Sequence, residues 1–162
     1  MSARFHVRLD KDSLIFSAGH FITLGEGVCE SLHGHDYRVA VEVSGQLDSN
    51  ECVVDFLALE SALKELLKAW DHQVLLPLNH PQIGLSHDEK EVVATFANRR
   101  WVFPRGDCQL LPVSNTTSER LAELIAERIY AACRSRLGAQ PDRVRIEISE
   151  SYGQTAACDW QP

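Results

Sequence analysis

Polar and apolar residues alternate along several stretches of this chain, and the period of the alternation separates strands from helices. In residues 35–44, HDYRVAVEVS, Tyr37, Val39, Val41 and Val43 share one face, and Asp36, Arg38, Ala40 and Glu42 share the other. That two-residue period predicts a half-buried strand. Residues 4–9 and 14–20 also read as extended. Phe5, Val7 and Leu9 form one face, Phe16, Ala18 and His20 another, with a kink or bulge at Asp10–Ser13. Near the C-terminus RVRIEISE alternates Val144, Ile146 and Ile148 against Arg145, Glu147 and Ser149, and a turn and a short strand near 154–160 follow.

The period changes after Asp55, a good N-cap: Phe56, Leu59, Leu63, Leu66, Leu67 and Trp70 recur at helical spacing to about residue 70. A second helix opens at TTSE, where Thr116 and Glu119 fit a capping box, and Leu121, Leu124, Ile125 and Ile129 form its apolar stripe. It should stop near Gly138, with Pro141 just beyond. Between the helices, EVVATFANRRWVFPRGDCQLLPV reads as an inserted β-hairpin within about 79–112. The order predicts an α+β layer, an antiparallel four-stranded sheet with two helices on one face. Such a sheet leaves its edges open, which favours oligomerisation through sheet pairing. No repeat, low-complexity run or Pro/Gly linker divides the chain, so residues 1–162 are expected to form one domain.

Composition narrows the chemistry. The net charge of −7 comes with no basic cluster, which argues against nucleic acid as a partner. No segment approaches the roughly 20 apolar residues of a membrane span. MSARFHVRLDKDS lacks the apolar core of a secretory signal, which points to the cytoplasm. Five scattered cysteines are an odd number without framework spacing and read as reduced thiols.

The histidines carry the strongest signal. Strand alternation makes His33 and His35 continue the face of Tyr37, Val39 and Val41, and His20 continue that of Phe16 and Ala18. Three imidazoles with a fourth position open are the usual ligand set of a catalytic zinc site. HGH alone reads equally well as half-buried polar residues at a strand end; the third histidine tips the balance to metal. His6, His80 and His87 read as solvated surface. Asp71 and His72 after the first helix are either a proton-sharing pair or a helix end where the imidazole meets the dipole. Glu150 continues the face of Val144, Ile146 and Ile148, as a solvated strand end or as a buried anchor for a cationic or amide-rich ligand.

FSAGH (16–20), CESLHGH (29–35), VVDF (53–56), DH (71–72), NTTSE (115–119) and ISES (148–151) stand in an order that resembles the 6-pyruvoyltetrahydropterin synthase family, including its 6-carboxytetrahydropterin synthases. The resemblance covers most of the chain outside residues 79–112. It implies the tunnelling fold (T-fold), whose subunits join their sheets into a barrel, as a trimer or a hexamer. It implies Zn²⁺ on His20, His33 and His35, Cys29 as acid/base residue, and Asp71 with His72 as its partner dyad. Glu150 would anchor the pterin, with Thr117 and Ser118 of NTTSE beside the substrate. The implied reaction converts 7,8-dihydroneopterin triphosphate to a 6-pyruvoyl- or 6-carboxy-tetrahydropterin with loss of triphosphate, in the biopterin or queuosine pathway.

The chain departs from the family pattern at Trp70, where Leu is usual, at Leu75/Leu76, where an Asn is usual, at Thr116 in place of Pro, and in the length of 79–112. Glu30 allows an alternative. Members with a glutamate near this position cleave the side chain to 6-hydroxymethyl-7,8-dihydropterin for folate synthesis; otherwise Glu30 is an exposed loop acid beside Gly25, Glu26 and Gly27. A further alternative is a non-catalytic pterin- or purine-binding protein of this fold, which would not need Cys29, Asp71 and His72 together.

Overall fold

The structure is a computed structural model that describes residues 3–25 and 27–161, so Glu26 lies outside the described residues. Strand β1 (Phe5–His20) pairs antiparallel with β4 (His33–Gly45), which pairs with β10 (Pro141–Ser151), which pairs with β11 (Gln154–Trp160). These are the four antiparallel strands that the alternation predicts; between β1 and β4 the short β2 (Thr23–Leu24) and β3 (Val28–Cys29) pair with each other. Helices α1 (Phe56–Lys68) and α2 (Ser118–Ser135) lie on one face of the sheet, burying Leu59, Leu63 and Leu67 of α1 and Leu121, Ile125 and Ile129 of α2. The sheet contributes Leu14, Phe16, Tyr37, Val39, Val41, Val43, Val144, Ile146 and Ile148 to the same core, all at most 1% exposed.

The main sheet has six strands, which corrects the expectation of four. β5 (Gln73–Pro77) runs parallel to β1, and β9 (Cys108–Leu111) parallel to β5, giving the order β11-β10-β4-β1-β5-β9. Both added strands are short, largely apolar runs, QVLLP and CQLL, covered on both faces, and such strands lose the alternation that marks a half-exposed one. Residues 79–112 therefore do more than form a hairpin. β6 (Gly84–His87), β7 (Glu91–Phe96) and β8 (Arg99–Pro104) make a separate antiparallel three-stranded sheet, while β9 returns to the main one. Leu75 of β5 faces the helices, whereas its neighbours Val74 and Leu76 face Phe21, Ile83, Val92 and Phe96. The small sheet thus packs on the opposite side of the main sheet from the helices.

Two local features set up the site. The β1–β4 register slips between Asp10 and Ile15, where the expected bulge lies. Leu9 and Leu14 are both buried although five positions apart, so the bulge changes the parity of the strand and turns Phe16, Ala18 and His20 inward. The N-cap of α2 is Thr117, whose side chain accepts the N–H of Arg120, in place of the expected Thr116. Thr116 is fully buried one residue earlier, and its hydroxyl donates to the Phe21 carbonyl at 3.3 Å. No helix among the described residues is long and apolar enough to cross a membrane.

Candidate active site

Antiparallel register brings the histidines together. His20 pairs directly with His33, and Ala18 with His35, so one strand end presents three imidazoles on the helix-facing side. Ring centroids lie 4.7 Å apart for His20–His33, 5.2 Å for His20–His35 and 4.9 Å for His33–His35. One nitrogen from each ring falls within 4.8 Å of the other two. Gly34, paired with Gly19, permits this close approach, because a Cβ there would stand 3.1 Å from the Ala18 carbonyl oxygen.

The rings are oriented for ligation. His20 is buried, and its Nδ1–H donates to the Thr116 carbonyl at 2.8 Å, leaving Nε2 as the lone-pair nitrogen. His33 Nδ1–H donates to the Ser31 carbonyl at 2.8 Å in the same way. Carbonyls that fix the tautomer and aim the other nitrogen are the usual outer shell of a histidine metal site. Burial pushes the His20 imidazole below its ordinary value; the Thr116 carbonyl opposes this, and the neighbouring His33 and His35 add to it. A buried site that keeps imidazole neutral keeps it a ligand, so the donor set fits a divalent metal.

Tyr37, which alternation places on the same face, does more than pack. Its hydroxyl lies 3.2 Å from both nitrogens of His20, and burial, with the charge of Glu150, pushes its phenol far above the ordinary value. Continuing the HxH pattern to HxHxY would have found it.

Glu30 is half-buried, and its carboxylate stands 3.7 Å from Nε2 of His33, in contrast to the exposed loop acid of the bland reading. Cys29 points elsewhere. It packs with the apolar cluster of Phe21, Leu76 and Trp101 on the far side of the sheet, and its Sγ–H lies 3.6 Å from the Glu30 carbonyl oxygen. Burial pushes the thiol up, with Arg99 pulling it down and Glu30 adding to the rise. Among the described residues, no hydrogen bond joins Cys29 to the three imidazoles.

Asp71 and His72 do form a pair, with Oδ2 3.0 Å from Nδ1. Asp71 Oδ1 accepts the Ser17 N–H at 2.8 Å, and His72 N–H donates to the Ser17 carbonyl at 2.6 Å, which docks the turn onto β1. The Ser17 N–H holds the Asp71 carboxyl below its ordinary range against the effect of desolvation, with His72 assisting. The pair borders the other face of the strands. His72 is 80% exposed and lines a shallow cavity of about 440 Å³ with Ser17, Gly19, Gly34 and Asp36, which alternate to the opposite face from His20, His33 and His35; Ala18 and His35 also border this cavity.

Glu150 adjoins the cluster. Ser118 Oγ–H donates to its Oε1 at 2.7 Å, and both line a cavity of about 360 Å³ with Ile22, Leu24, Thr117 and Gln154. The carboxylate sits at the N-terminus of α2, where the helix dipole favours an anion. Its charge acts on both His20 and Tyr37.

His80, expected on the solvated surface, is half-buried and structural. Its Nδ1 accepts the N–H groups of Gln82 and Ile83 at 2.9 Å, and Nε2–H donates to Thr23 Oγ1 at 2.7 Å. Arg99 was not expected at the site at all. It donates to the carbonyls of Cys29 and Glu30, a contact to backbone that no side-chain pattern announces.

Comparison with known proteins identifies the family and the fold. Residues 11–160 match the family model described as 6-pyruvoyl tetrahydropterin synthase. A protein of Methanocaldococcus jannaschii, provisionally named a 6-carboxy-5,6,7,8-tetrahydropterin synthase, is 31% identical over 88% of this chain and 88% of its own. The 6-carboxy-5,6,7,8-tetrahydropterin synthase of Haemophilus influenzae is 30% identical over 70% of this chain and 76% of its own. Among solved structures, the 6-pyruvoyl tetrahydropterin synthase of Plasmodium vivax superposes with a TM-score of 0.88 at 22% identity, over 99% of this chain and 100% of that one. Two further structures of the P. vivax protein are titled catalytic-residue mutants, with a glutamate replaced by alanine or cysteine. The chain belongs to the 6-pyruvoyl tetrahydropterin synthase family.

Proposed function

We propose that this chain is a zinc-dependent lyase that converts 7,8-dihydroneopterin triphosphate to 6-carboxy- or 6-pyruvoyl-tetrahydropterin with elimination of triphosphate. The observation that carries the reading is the adjacency of two sites: three imidazoles within ligating reach of one another, and a cavity lined by Glu150, Thr117 and Ser118, directly after Thr116, whose carbonyl holds His20. A pterin ring presents amide-like N–H groups, and a carboxylate held in place by Ser118 suits them. Zinc on His20, His33 and His35 would supply Lewis acidity to the side-chain hydroxyls of a substrate so anchored. The naming of curated relatives as 6-carboxy synthases supports that product.

In this reading Cys29, turned toward the imidazoles from its place against the apolar cluster, carries the proton for the elimination branch, and Asp71 with His72 completes the relay. Because the dyad lies on the opposite sheet face, it acts between copies, in the trimer or hexamer that open sheet edges favour. The protein is read as cytoplasmic, and the chain as one domain.

A second reading is favoured by the position of Glu30. A carboxylate 3.7 Å from His33 Nε2 stands where a general base is wanted for cleavage to 6-hydroxymethyl-7,8-dihydropterin. A glutamate is the residue altered in the catalytic-residue mutants of the P. vivax relative, which supports a carboxylate in this role. The deciding experiment incubates zinc-loaded protein with dihydroneopterin triphosphate and identifies products by mass spectrometry. Carboxy or pyruvoyl product supports the first reading and hydroxymethyl product the second; intact substrate rejects both.

A further inference from the structure

One side chain joins the inserted sheet to the segment that carries Cys29 and Glu30. Arg99 opens β8, and its Nη1 donates to the Cys29 carbonyl at 2.6 Å and to the Glu30 carbonyl at 3.0 Å. Its guanidinium lies over the Trp101 ring, 4.5 Å from the centroid. Trp101 in turn stacks on Phe21 at 4.4 Å, and Phe21 directly follows the cluster residue His20. The insertion therefore grips both sides of the site through one continuous stack.

The grip fixes direction as well as place. Two consecutive carbonyls bound to one guanidinium set the backbone between Cys29 and Glu30, and neighbouring side chains of an extended segment point apart. As braced, Cys29 goes into the apolar cluster with Leu76 and Trp101, and Glu30 goes toward His33. The Glu30 N–H is also tied, donating to the Ile22 carbonyl at 2.9 Å.

We propose that Arg99 is a positioning residue that selects which of two adjacent proton-transfer groups, the Glu30 carboxylate or the Cys29 thiol, faces the three-histidine cluster, and so sets the ratio of products. The consequence for products rests on the lyase reading above; the control of side-chain direction does not. A lysine cannot reproduce the effect fully, because an ammonium keeps the charge and can donate to carbonyls but loses the flat guanidinium that lies over the tryptophan ring. Methionine keeps much of the apolar stem and removes every donor.

The test uses the full chain carrying Arg99→Met or Arg99→Lys. In metal-free protein, iodoacetamide labelling of Cys29 is followed by peptide mass spectrometry at alkaline pH, where thiol ionisation no longer limits the rate. Buried Cys108, in the same cluster, reports general loosening of the insertion. Arg99→Met is expected to label Cys29 about tenfold faster, as for the loss of a charge-assisted hydrogen bond, with Cys108 unchanged and Arg99→Lys intermediate. In zinc-loaded protein, the ratio of hydroxymethyl to carboxy or pyruvoyl product should fall about tenfold in Arg99→Met and recover partly in Arg99→Lys. Unchanged Cys29 labelling, or equal acceleration at Cys108, overturns the positioning role. Faster labelling with a fixed product ratio overturns the control of products. Faster labelling in a protein that leaves the substrate untouched sinks the lyase reading and leaves the positioning role standing.

Discussion

The Glu30 carboxylate and the Nε2 of His33 face each other across 3.7 Å, only three residues apart in a segment where His33 Nδ1–H donates back to the Ser31 carbonyl. A candidate metal nitrogen and a candidate proton carrier therefore share one small volume, while Cys29, one residue earlier, is turned to the other side of the sheet. Replacing Glu30 with Gln keeps the shape and removes the base. It should cut formation of hydroxymethyl product by about 100-fold while zinc content holds, the scale expected for loss of a general base. Product analysis beside metal analysis checks this, and equal yields would remove Glu30 from the reaction.

Cys29→Ala should act on the other branch. Carboxy or pyruvoyl product should fall by at least about 100-fold, with hydroxymethyl product kept. Stability should change little, because Cys29 is only half-buried at the margin of its cluster. Unchanged carboxy product would take the thiol out of the mechanism.

Much of this site was legible before the fold was known, for a definite reason. Alternation in HDYRVAVEVS and in FSAGH reports which face a side chain takes, and the cluster of His20, His33 and His35 follows from faces and register alone. Direction within a loop has no such period, so the opposite aims of Cys29 and Glu30 were not readable. Nor was the opposite-face position of Asp71 and His72, which depends on β5 joining β1 in parallel. QVLLP, covered on both faces, gives no alternation to announce that strand. The contacts of Thr116, Ser31 and Arg99 are made to or from backbone carbonyls, which leave no mark on residue type.

Loss of a ligand imidazole should empty the metal site. His33→Ala or His35→Ala is expected to leave under about a tenth of the wild-type zinc after dialysis, since two nitrogens cannot replace a three-histidine set. Retention of about one zinc per chain in either variant would show that the ligand set is different.

Glu150→Gln should weaken binding of a pterin by about 10- to 100-fold, the cost of turning a charged acceptor into a neutral amide that presents its own donors. Ser118→Ala, which removes only the hydroxyl at 2.7 Å, should lose less. Titration with a pterin that lacks the phosphates isolates this contact, and equal affinity of Glu150→Gln and wild type would reject the anchor.

Asp71 makes folding sensitive to acid. Its carboxyl is held below the ordinary value, first by the Ser17 N–H. A carboxyl depressed in the folded state adds stability that is fully present above its unfolded value, near about 3.9, and lost as pH falls through the lower folded value. The urea midpoint of Asp71→Asn should thus lie below that of wild type at pH 6 and converge with it as the pH is lowered past that range. A gap of constant size would show that the charged form is not what docks the turn onto β1.

The parity change at the β1 bulge yields the sharpest test of how the site is built. Leu9 and Leu14 are both buried because three extra residues, an odd number, are absorbed between Asp10 and Ile15. Deleting Asp12, which is exposed and outside the paired register, should let the strand run without that change. His20 must then either face away from His33 and His35 or drag Leu9 and Val7 out of the core. The expected result is loss of zinc to the level of His33→Ala, with the circular dichroism of the sheet retained. The compensating insertion of one glycine between Ser13 and Leu14 should restore the metal. If the deletion variant stays folded and binds zinc as wild type does, the inward aim of His20 does not depend on the bulge.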